Sequence, residues 1–145
     1  PSFGTVLMVD IGHFKRINDT FGHLVGDKVI QDVASTLQDH ARFSDIVCRF
    51  GGEEFVLILP EMDVAEAEET AERLRQRVCN QPVALESGHN IRLTISIGVA
   101  VFPDHGDTLD ALCAAADKAM YRAKKQGRNC IAMAQAVQPV HNGCR

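Results

Sequence analysis

Residues 45–60, DIVCRFGGEEFVLILP, contain two short apolar stretches separated by a pair of glycines. Asp45 to Phe50 and Glu54 to Pro60 each have the composition of a β-strand. The glycines Gly51-Gly52 between them supply the positive φ that a tight hairpin turn requires. The stretch therefore predicts an antiparallel hairpin with an acid, Glu53, directly after its glycines.

The segments around this hairpin alternate between strand and helix patterns. Thr5 to Ile11 is a nearly unbroken apolar run, which is typical of a strand buried on both faces. Asp63 and Glu66 match an N-cap and its capping-box partner at the start of a helix after the hairpin. The other predicted elements are two helical turns at 14–21, a loop bracketed by Gly22 and Gly26, a helix at 27–41, a half-buried strand at 92–102, a long helix at 108–126 and a short strand at 129–134.

The core order is strand, helix, strand, strand, helix, strand, which is the split βαβ, ferredoxin-like arrangement. The sequence therefore predicts an α+β fold with an antiparallel central sheet flanked by helices, as in nucleotide cyclases and polymerase palms. We expect residues 1–134 to form one domain and the polar residues 135–145 to form a tail. This topology places Asp10, at the end of the first strand, beside Glu53 and Glu54 at the hairpin.

Composition excludes several functional classes. The formal charge is −4, which argues against a protein that binds nucleic acid through bulk positive charge. The apolar runs are far shorter than the ~20 residues of a membrane span, so we expect no membrane contact by this domain. Five widely spaced cysteines without a CxxC pair favour a reduced, cytoplasmic domain over a disulfide scaffold or a zinc site.

Acids gathered at one end of a sheet repel one another unless a cation lies between them. A hard divalent ion such as Mg²⁺ prefers oxygen ligands and keeps positions open for phosphate oxygens. Asp10 with Glu53 therefore indicates metal-assisted phosphoryl or nucleotidyl transfer. Two acids near an arbitrary hairpin are more often solvated surface groups, so this pattern alone leaves both interpretations open.

The wider sequence resembles the GGDEF domains, the diguanylate cyclases, from Met8 to Asn129. The matching segments are Arg49-Phe50-Gly51-Gly52-Glu53-Glu54-Phe55, Asp10-Ile11-Gly12-His13-Phe14-Lys15, Ile17-Asn18-Asp19-Thr20-Phe21-Gly22-His23, Gly26-Asp27, Thr94-Ile95-Ser96-Ile97-Gly98-Val99-Ala100, 116–124 and Gly127-Arg128-Asn129. The resemblance implies that two GTP molecules condense into cyclic di-GMP with release of two pyrophosphates. It also implies a homodimer for catalysis, Mg²⁺ or alternatively Mn²⁺ as cofactor, and a bacterial signalling protein longer than this chain.

The resemblance assigns a catalytic and metal-binding set. Asp10, the Ile11 carbonyl and Glu53 are expected to ligate the metal, and Lys15 to stabilise charge on the reacting phosphates. Glu53 is the expected general base, and the neighbouring Glu54 remains an alternative.

The resemblance also assigns substrate contacts. Asn18 and Asp27 match residues that bind guanine, and a carboxylate can accept from the guanine N1–H and amino group, which adenine does not offer. His23 fits the substrate-side loop, although a structural histidine is an equal alternative. Lys124 and Arg128 match the cations that hold the terminal phosphates, and their spacing predicts that both lie on one side of the end of the last helix.

A second site is implied by Arg42-Phe43-Ser44-Asp45, which matches the RxxD inhibitory motif of the family. Arg42 and Asp45 are expected to bind cyclic di-GMP as a feedback inhibitor, with Arg73 as a secondary contact. Two features depart from the family: Gly12 replaces the second acid of an Asp-x-Asp motif, and the N-terminal helical motif is absent. The alternative function is therefore a weakly active or inactive domain that acts as a receptor for GTP or cyclic di-GMP.

Overall fold

A five-stranded sheet organises residues 4–137, the part of the chain that the structure, a computed structural model, describes. Its strands lie in the order β2-β3-β1-β6-β7, with a separate two-stranded ribbon of β4 and β5. All neighbours in the main sheet are antiparallel except β6 and β7. In chain order the elements are β1 (Gly4–Ile11), α1 (Phe14–Phe21), α2 (His23–Asp39), β2 (Ile46–Arg49), β3 (Glu54–Pro60), α3 (Val64–Cys79), β4 (Val83–Ala84), β5 (Asn90–Ile91), β6 (Ile95–Phe102), α4 (Leu109–Lys125) and β7 (Ile131–Met133).

Helices cover both faces of the sheet. Because side chains alternate along a strand, Leu7, Val9 and Ile11 of β1 pack into the larger core beneath α1, α2 and α3. Val6 and Met8 face the other way, into a smaller core closed by α4. The predicted α+β fold with its ferredoxin-like strand and helix order is confirmed, and α4 and β7 extend it.

The predicted capping box of α3 is also confirmed, and the structure adds a cap at the start of α4. Asp63 caps α3, where its side chain accepts from the Glu66 N–H and the Glu66 side chain accepts from the Asp63 N–H. Thr108 caps α4 by accepting from the Ala111 N–H at 3.0 Å. These caps satisfy amide donors that the first helical turn leaves unpaired.

Two predicted features are wrong. The expected loop between Gly22 and Gly26 is not formed: α2 begins at His23, and only Gly22, with φ of 92°, separates α1 from α2. The expected half-buried strand at 92–102 is shorter and buried on both faces. It lies between β1 and β7 with helices on each side, so its small residues Ser96 and Ala100 are as inaccessible as its large ones.

Gly98 sets how closely α4 approaches the sheet. A Cβ on Gly98 would lie 1.9 Å from the Ala116 carbonyl oxygen and 2.3 Å from the Met120 nitrogen. Only glycine permits this contact between the β6 backbone and the α4 backbone. The contact determines where the C-terminal half of α4 meets the end of β1.

No helix within residues 4–137 is long and apolar enough to cross a bilayer. Most of the predicted tail, residues 138–145, lies outside the described residues, as do residues 1–3 of the predicted domain.

Candidate active site

The site is built around Asp10, near the end of β1. Asp10 pairs in register with Glu54 on β3 and with Ser96 on β6, so these three residues form one row across the sheet on the face that α4 covers. The Asp10 side chain is only 2% exposed. A carboxylate this deeply buried in the centre of a sheet needs nearby positive charge to remain ionised.

Two cations from the end of α4 provide that charge. Lys124 Nζ lies 3.5 Å from Asp10 Oδ2, and Arg128 Nη1 lies 3.7 Å from the same oxygen. Burial nevertheless raises the pKa of Asp10, and Lys124 opposes this rise only in part. The second oxygen, Oδ1, is buried and has no hydrogen-bond partner in the described residues. Asp10 therefore has the capacity to accept one more cationic partner.

An open cleft of about 420 Å³ lies beside Asp10. It brings together six residues that the sequence assigned to metal, catalysis or phosphate binding, and they are Asp10, Ile11, Lys15, Glu53, Lys124 and Arg128. Its remaining lining comes from His13, which precedes α1, and from Phe14, Arg16 and Asp19 of α1. The cleft thus combines three acids, Asp19 being the third, with several cations, which suits an anionic substrate that carries a metal ion.

Glu53 is held at the cleft by the backbone of the hairpin. Its carbonyl accepts from the Ile11 N–H at 3.2 Å, and the turn is closed by a bond from the Phe50 N–H to the Glu54 carbonyl at 2.6 Å. Gly51, with φ of 83°, makes the reversal, and Arg49 donates to the Gly52 carbonyl at 2.6 Å. The glycine turn therefore fixes Glu53 next to the end of β1, as the sequence predicts.

Glu54 occupies a different environment from Glu53. Burial raises the pKa of Glu54, and the negative charges of Asp10 and Asp117 raise it further. Glu54 is absent from the residues that line the cleft, whereas Glu53 lines it. This difference favours Glu53 over Glu54 as the acid that meets a substrate.

The donor set fits a hard divalent cation. No three His, Cys, Asp or Glu side chains form a metal-binding group anywhere in residues 4–137. Asp10 and Glu53 still offer two carboxylates, and the buried Asp10 Oδ1 lacks a partner. Mg²⁺ is commonly held by one or two carboxylates with the substrate phosphates and water as further ligands, so a site of only two acids is sufficient.

The residues assigned to guanine lie beyond the cleft, around the junction of α1 and α2. Asn18 Oδ1 is buried without a partner in the described residues, and a Cβ on Gly26 would lie 1.8 Å from it. Position 26 therefore requires glycine because the Asn18 side chain leaves no room for a Cβ there, and not because the backbone forms a loop. Asp27 and His23 are exposed on α2.

The predicted placement of both phosphate cations on the last helix needs correction. Lys124 is in the last turn of α4, but α4 ends at Lys125 and Arg128 lies in the turn beyond it with φ of 64°. The two residues still converge on Asp10, because the chain reverses at Gly127 and returns Arg128 towards β1.

The expected inhibitory motif forms an ion pair within itself. Arg42 Nη2 donates to Asp45 Oδ1 at 2.8 Å and to the Pro60 carbonyl at 2.6 Å, and Arg42 Nε donates to both Asp45 oxygens. The Asp45 side chain is 3% exposed, whereas that of Arg42 is 43% exposed. Arg73 lines a separate hollow on α3 whose lining includes neither Arg42 nor Asp45.

Sequence reasoning assigned no role to Ser96 and did not predict how tightly Gly12 is packed. Ser96 is fully buried opposite Asp10, and its hydroxyl has no partner among the described residues. Gly12, where the resemblance expects an acid, is packed so that a Cβ would lie 2.5 Å from Thr94 Oγ1. The available signal was the run of small residues at alternate positions of β6, Ser96, Gly98 and Ala100, which indicates close packing of a helix.

Comparison with known proteins places this geometry among similar domains. A family model described as "Diguanylate cyclase, GGDEF domain" matches residues 1–130. The response regulator PleD of Caulobacter vibrioides is 44% identical over 128 residues, which are 88% of this chain but only 28% of that protein. The chain therefore spans little more than a quarter of that relative.

Solved structures agree in fold. The GGDEF domain of YfiN from Pseudomonas aeruginosa is 36% identical, with a TM-score of 0.89 over 94% of this chain and 84% of that one. The GGDEF domain of DgcB from Caulobacter crescentus, solved in complex with c-di-GMP, is 33% identical, with a TM-score of 0.85 over 91% of this chain and 78% of that one.

Proposed function

Because the chain belongs to the GGDEF domain family of diguanylate cyclases, we propose that it condenses two GTP molecules into cyclic di-GMP and releases two pyrophosphates. The observation that carries this proposal is the buried Asp10, which has one unpartnered oxygen and lies in a cleft with Glu53, Lys124 and Arg128. An intact GGEEF signature at 51–55 supports it.

In the proposed mechanism, Glu53 acts at the ribose end of the reaction. As the acid that lines the cleft, Glu53 accepts the proton of the 3′-hydroxyl that attacks the α-phosphate. Asp10, the Ile11 carbonyl and Glu53 would hold Mg²⁺, or Mn²⁺ in its place, which would neutralise negative charge on the triphosphate.

Three cations act on the phosphates. Lys15, which lies in the first turn of α1 and lines the cleft, stabilises charge that develops on the α-phosphate and the leaving pyrophosphate. Lys124 and Arg128 hold the terminal phosphates. These contacts would replace part of the interaction that the two cations make with Asp10 in the free protein. Positioned donors of this kind stabilise a transition state in which negative charge moves towards the leaving group.

Guanine selection is assigned to the junction of α1 and α2. The Asp27 carboxylate accepts from the guanine N1–H and amino group, and the Asn18 amide binds the same base. His23, exposed at the start of α2, contacts the substrate from the same side. Adenine offers neither the N1–H nor the 2-amino group, so ATP would lack the hydrogen bonds that the Asp27 carboxylate makes to guanine.

One domain binds one GTP, so catalysis requires two. A single cleft of about 420 Å³ holds either the nucleophile or the electrophile, and the second must come from a facing copy. A homodimer in which two clefts oppose each other supplies both.

Product inhibition is assigned to Arg42 and Asp45, with Arg73 as a secondary contact. The RxxD motif and the solved complex of DgcB with c-di-GMP support this assignment. In the free protein, Asp45 and the Pro60 carbonyl already engage Arg42. Product binding must compete with that pair, so the net gain from Arg42 lies at the lower end of the usual range for a charged hydrogen bond, about 1.5 kcal/mol.

The second candidate function is a receptor for GTP or cyclic di-GMP with little or no turnover. Gly12 favours it, since the acid expected there is absent and a side chain would meet Thr94 at 2.5 Å.

The test is product formation by the wild type, Glu53→Gln and the matched control Glu86→Gln, an exposed acid in the turn before β5. We expect Glu53→Gln to remove turnover without altering circular dichroism, while Glu86→Gln behaves as wild type. Near-normal rates in Glu53→Gln would refute the assignment of Glu53. Binding of GTP without turnover in the wild type would favour the receptor.

A further inference from the structure

The turn that carries Arg128 has an unusual backbone. Gly127, Arg128 and Asn129 have φ of 120°, 64° and 49°, and two of these three residues are not glycine. The turn begins as a Schellman motif, in which the Arg128 N–H donates to the Ala123 carbonyl at 3.0 Å and the Gly127 N–H to the Lys124 carbonyl at 3.4 Å. Residues other than glycine keep a positive φ where surrounding contacts hold them, and Asn129 has such contacts.

An arginine on a different helix supplies that contact. Arg75 of α3 donates from Nη1 to Asn129 Oδ1 at 2.8 Å and to the Asn129 carbonyl at 3.5 Å. The Asn129 amide also lies against Cys79 Sγ, at 3.9 Å. These contacts join residues 50 and 54 positions apart in the chain, and they are the side-chain bonds that tie α3 to this turn in the described residues.

Arg75 is itself held in a fixed orientation. Its Nε donates to Glu72 Oε1 at 2.8 Å and its Nη2 to Glu72 Oε2 at 2.6 Å, and Gln76 donates to the same carboxylate at 2.9 Å. The Arg75 side chain is 18% exposed. A bidentate pair of this kind fixes the plane of the guanidinium, so Nη1 is directed at Asn129.

We propose that Arg75 is a positioning residue for the triphosphate site. Arg75 holds Asn129 and thereby places Arg128 over Asp10. Arg128 and Asn129 are adjacent, so any release of Asn129 is transmitted directly to the Arg128 backbone. Glu72 neutralises Arg75, so Arg75 acts through geometry and contributes little charge of its own to the phosphates. This inference rests on the proposed binding of GTP at the cleft.

The test compares ligands that differ only in their phosphates. Calorimetry measures affinity for a GTP analogue with a methylene group between the α- and β-phosphorus atoms, and competition against it measures affinity for GMP. The variants are Arg75→Gln and Asn129→Gly, which keeps the positive φ but removes the acceptor. Arg77→Gln is the matched control, because it makes the same change at an exposed arginine of the same helix.

We expect Arg75→Gln and Asn129→Gly to bind the triphosphate analogue about tenfold more weakly, with GMP affinity unchanged. Arg77→Gln should bind both as the wild type does. In an Arg128→Gln background the further effect of Arg75→Gln should fall to less than about twofold, since the two changes remove one interaction.

Equal loss of GMP and triphosphate affinity would overturn the inference, because it would indicate general damage to the fold. Unchanged triphosphate affinity in both Arg75→Gln and Asn129→Gly would overturn it and leave the proposed function intact. Additive effects of Arg75→Gln and Arg128→Gln would also overturn it. A wild type that does not bind the analogue would contradict the proposed function itself and this inference with it.

Discussion

Replacing Gly98 with alanine tests whether the close approach of α4 to β6 creates the site. The added Cβ would lie 1.9 Å from the Ala116 carbonyl oxygen and 2.3 Å from the Met120 nitrogen. Both are backbone atoms in the middle of α4, so no side-chain rotation can relieve the contact. The helix must move away by about 1.5 Å for the shorter distance to reach an ordinary contact of 3.4 Å.

The cost follows from that displacement. Overpacking of a tight core costs about 1–3 kcal/mol, and a clash with backbone belongs at the upper end. For a domain of this size, about 3 kcal/mol corresponds to a fall in Tm of about 10 °C. Lys124 lies about one helical turn beyond Met120 and reaches Asp10 at 3.5 Å. Displacement of Lys124 by more than 1 Å should lower turnover about 100-fold.

The assay is urea unfolding and GTP turnover of Gly98→Ala beside Gly4→Ala. Gly4 is the matched control, since it lies on the adjacent strand β1 and a Cβ there meets no atom within 4 Å. We expect Gly4→Ala to match or slightly exceed the wild type in stability. Wild-type stability and turnover in Gly98→Ala would refute the view that this glycine sets the position of α4.

Three further predictions concern binding and pH. Asp27→Asn should reduce the preference for GTP over ATP, measured by competition binding, and leave the unfolding curve unchanged. Arg42→Ala should weaken cyclic di-GMP binding about tenfold by calorimetry and relieve inhibition, with the GTP dependence of the uninhibited rate unaltered; equal product affinity in both proteins would remove Arg42-Phe43-Ser44-Asp45 from the site. Burial lowers the pKa of His105, whose Nδ1 accepts from the Val101 N–H at 2.8 Å. His105 therefore binds a proton more readily in the unfolded chain than in the folded one. The unfolding free energy should therefore fall as the pH drops below about 6.5, and urea unfolding at pH 7.5 and 5.5 should show a smaller fall in His105→Asn.

Local sequence rules were sufficient for most of the fold. The glycine pair at 51–52, the capping box at Asp63 and the apolar run at 5–11 each determine a structure within a few residues, so the hairpin, α3 and β1 were predictable. The same rules placed Asp10 beside Glu53, because the ferredoxin-like strand order brings the end of β1 to the hairpin.

The errors have one physical origin, which is packing between distant segments. Gly26 resembles a loop residue in isolation, but it lies within α2 at a point where the Asn18 side chain leaves no room for a Cβ. Strand β6 alternates in sequence as if half exposed, yet α4 covers its second face. Arg75 gave no local signal at all, since its partner Asn129 lies 54 positions away.

The most direct test of the central claim is the rate and identity of product across a range of protein concentrations. The domain is incubated with GTP and Mg²⁺, and products are resolved by mass spectrometry. The account predicts that two pyrophosphates are released for each cyclic di-GMP formed. It also predicts that specific activity rises with protein concentration, because two clefts must face each other. Bound GTP that is not converted to cyclic di-GMP at any concentration would contradict the account.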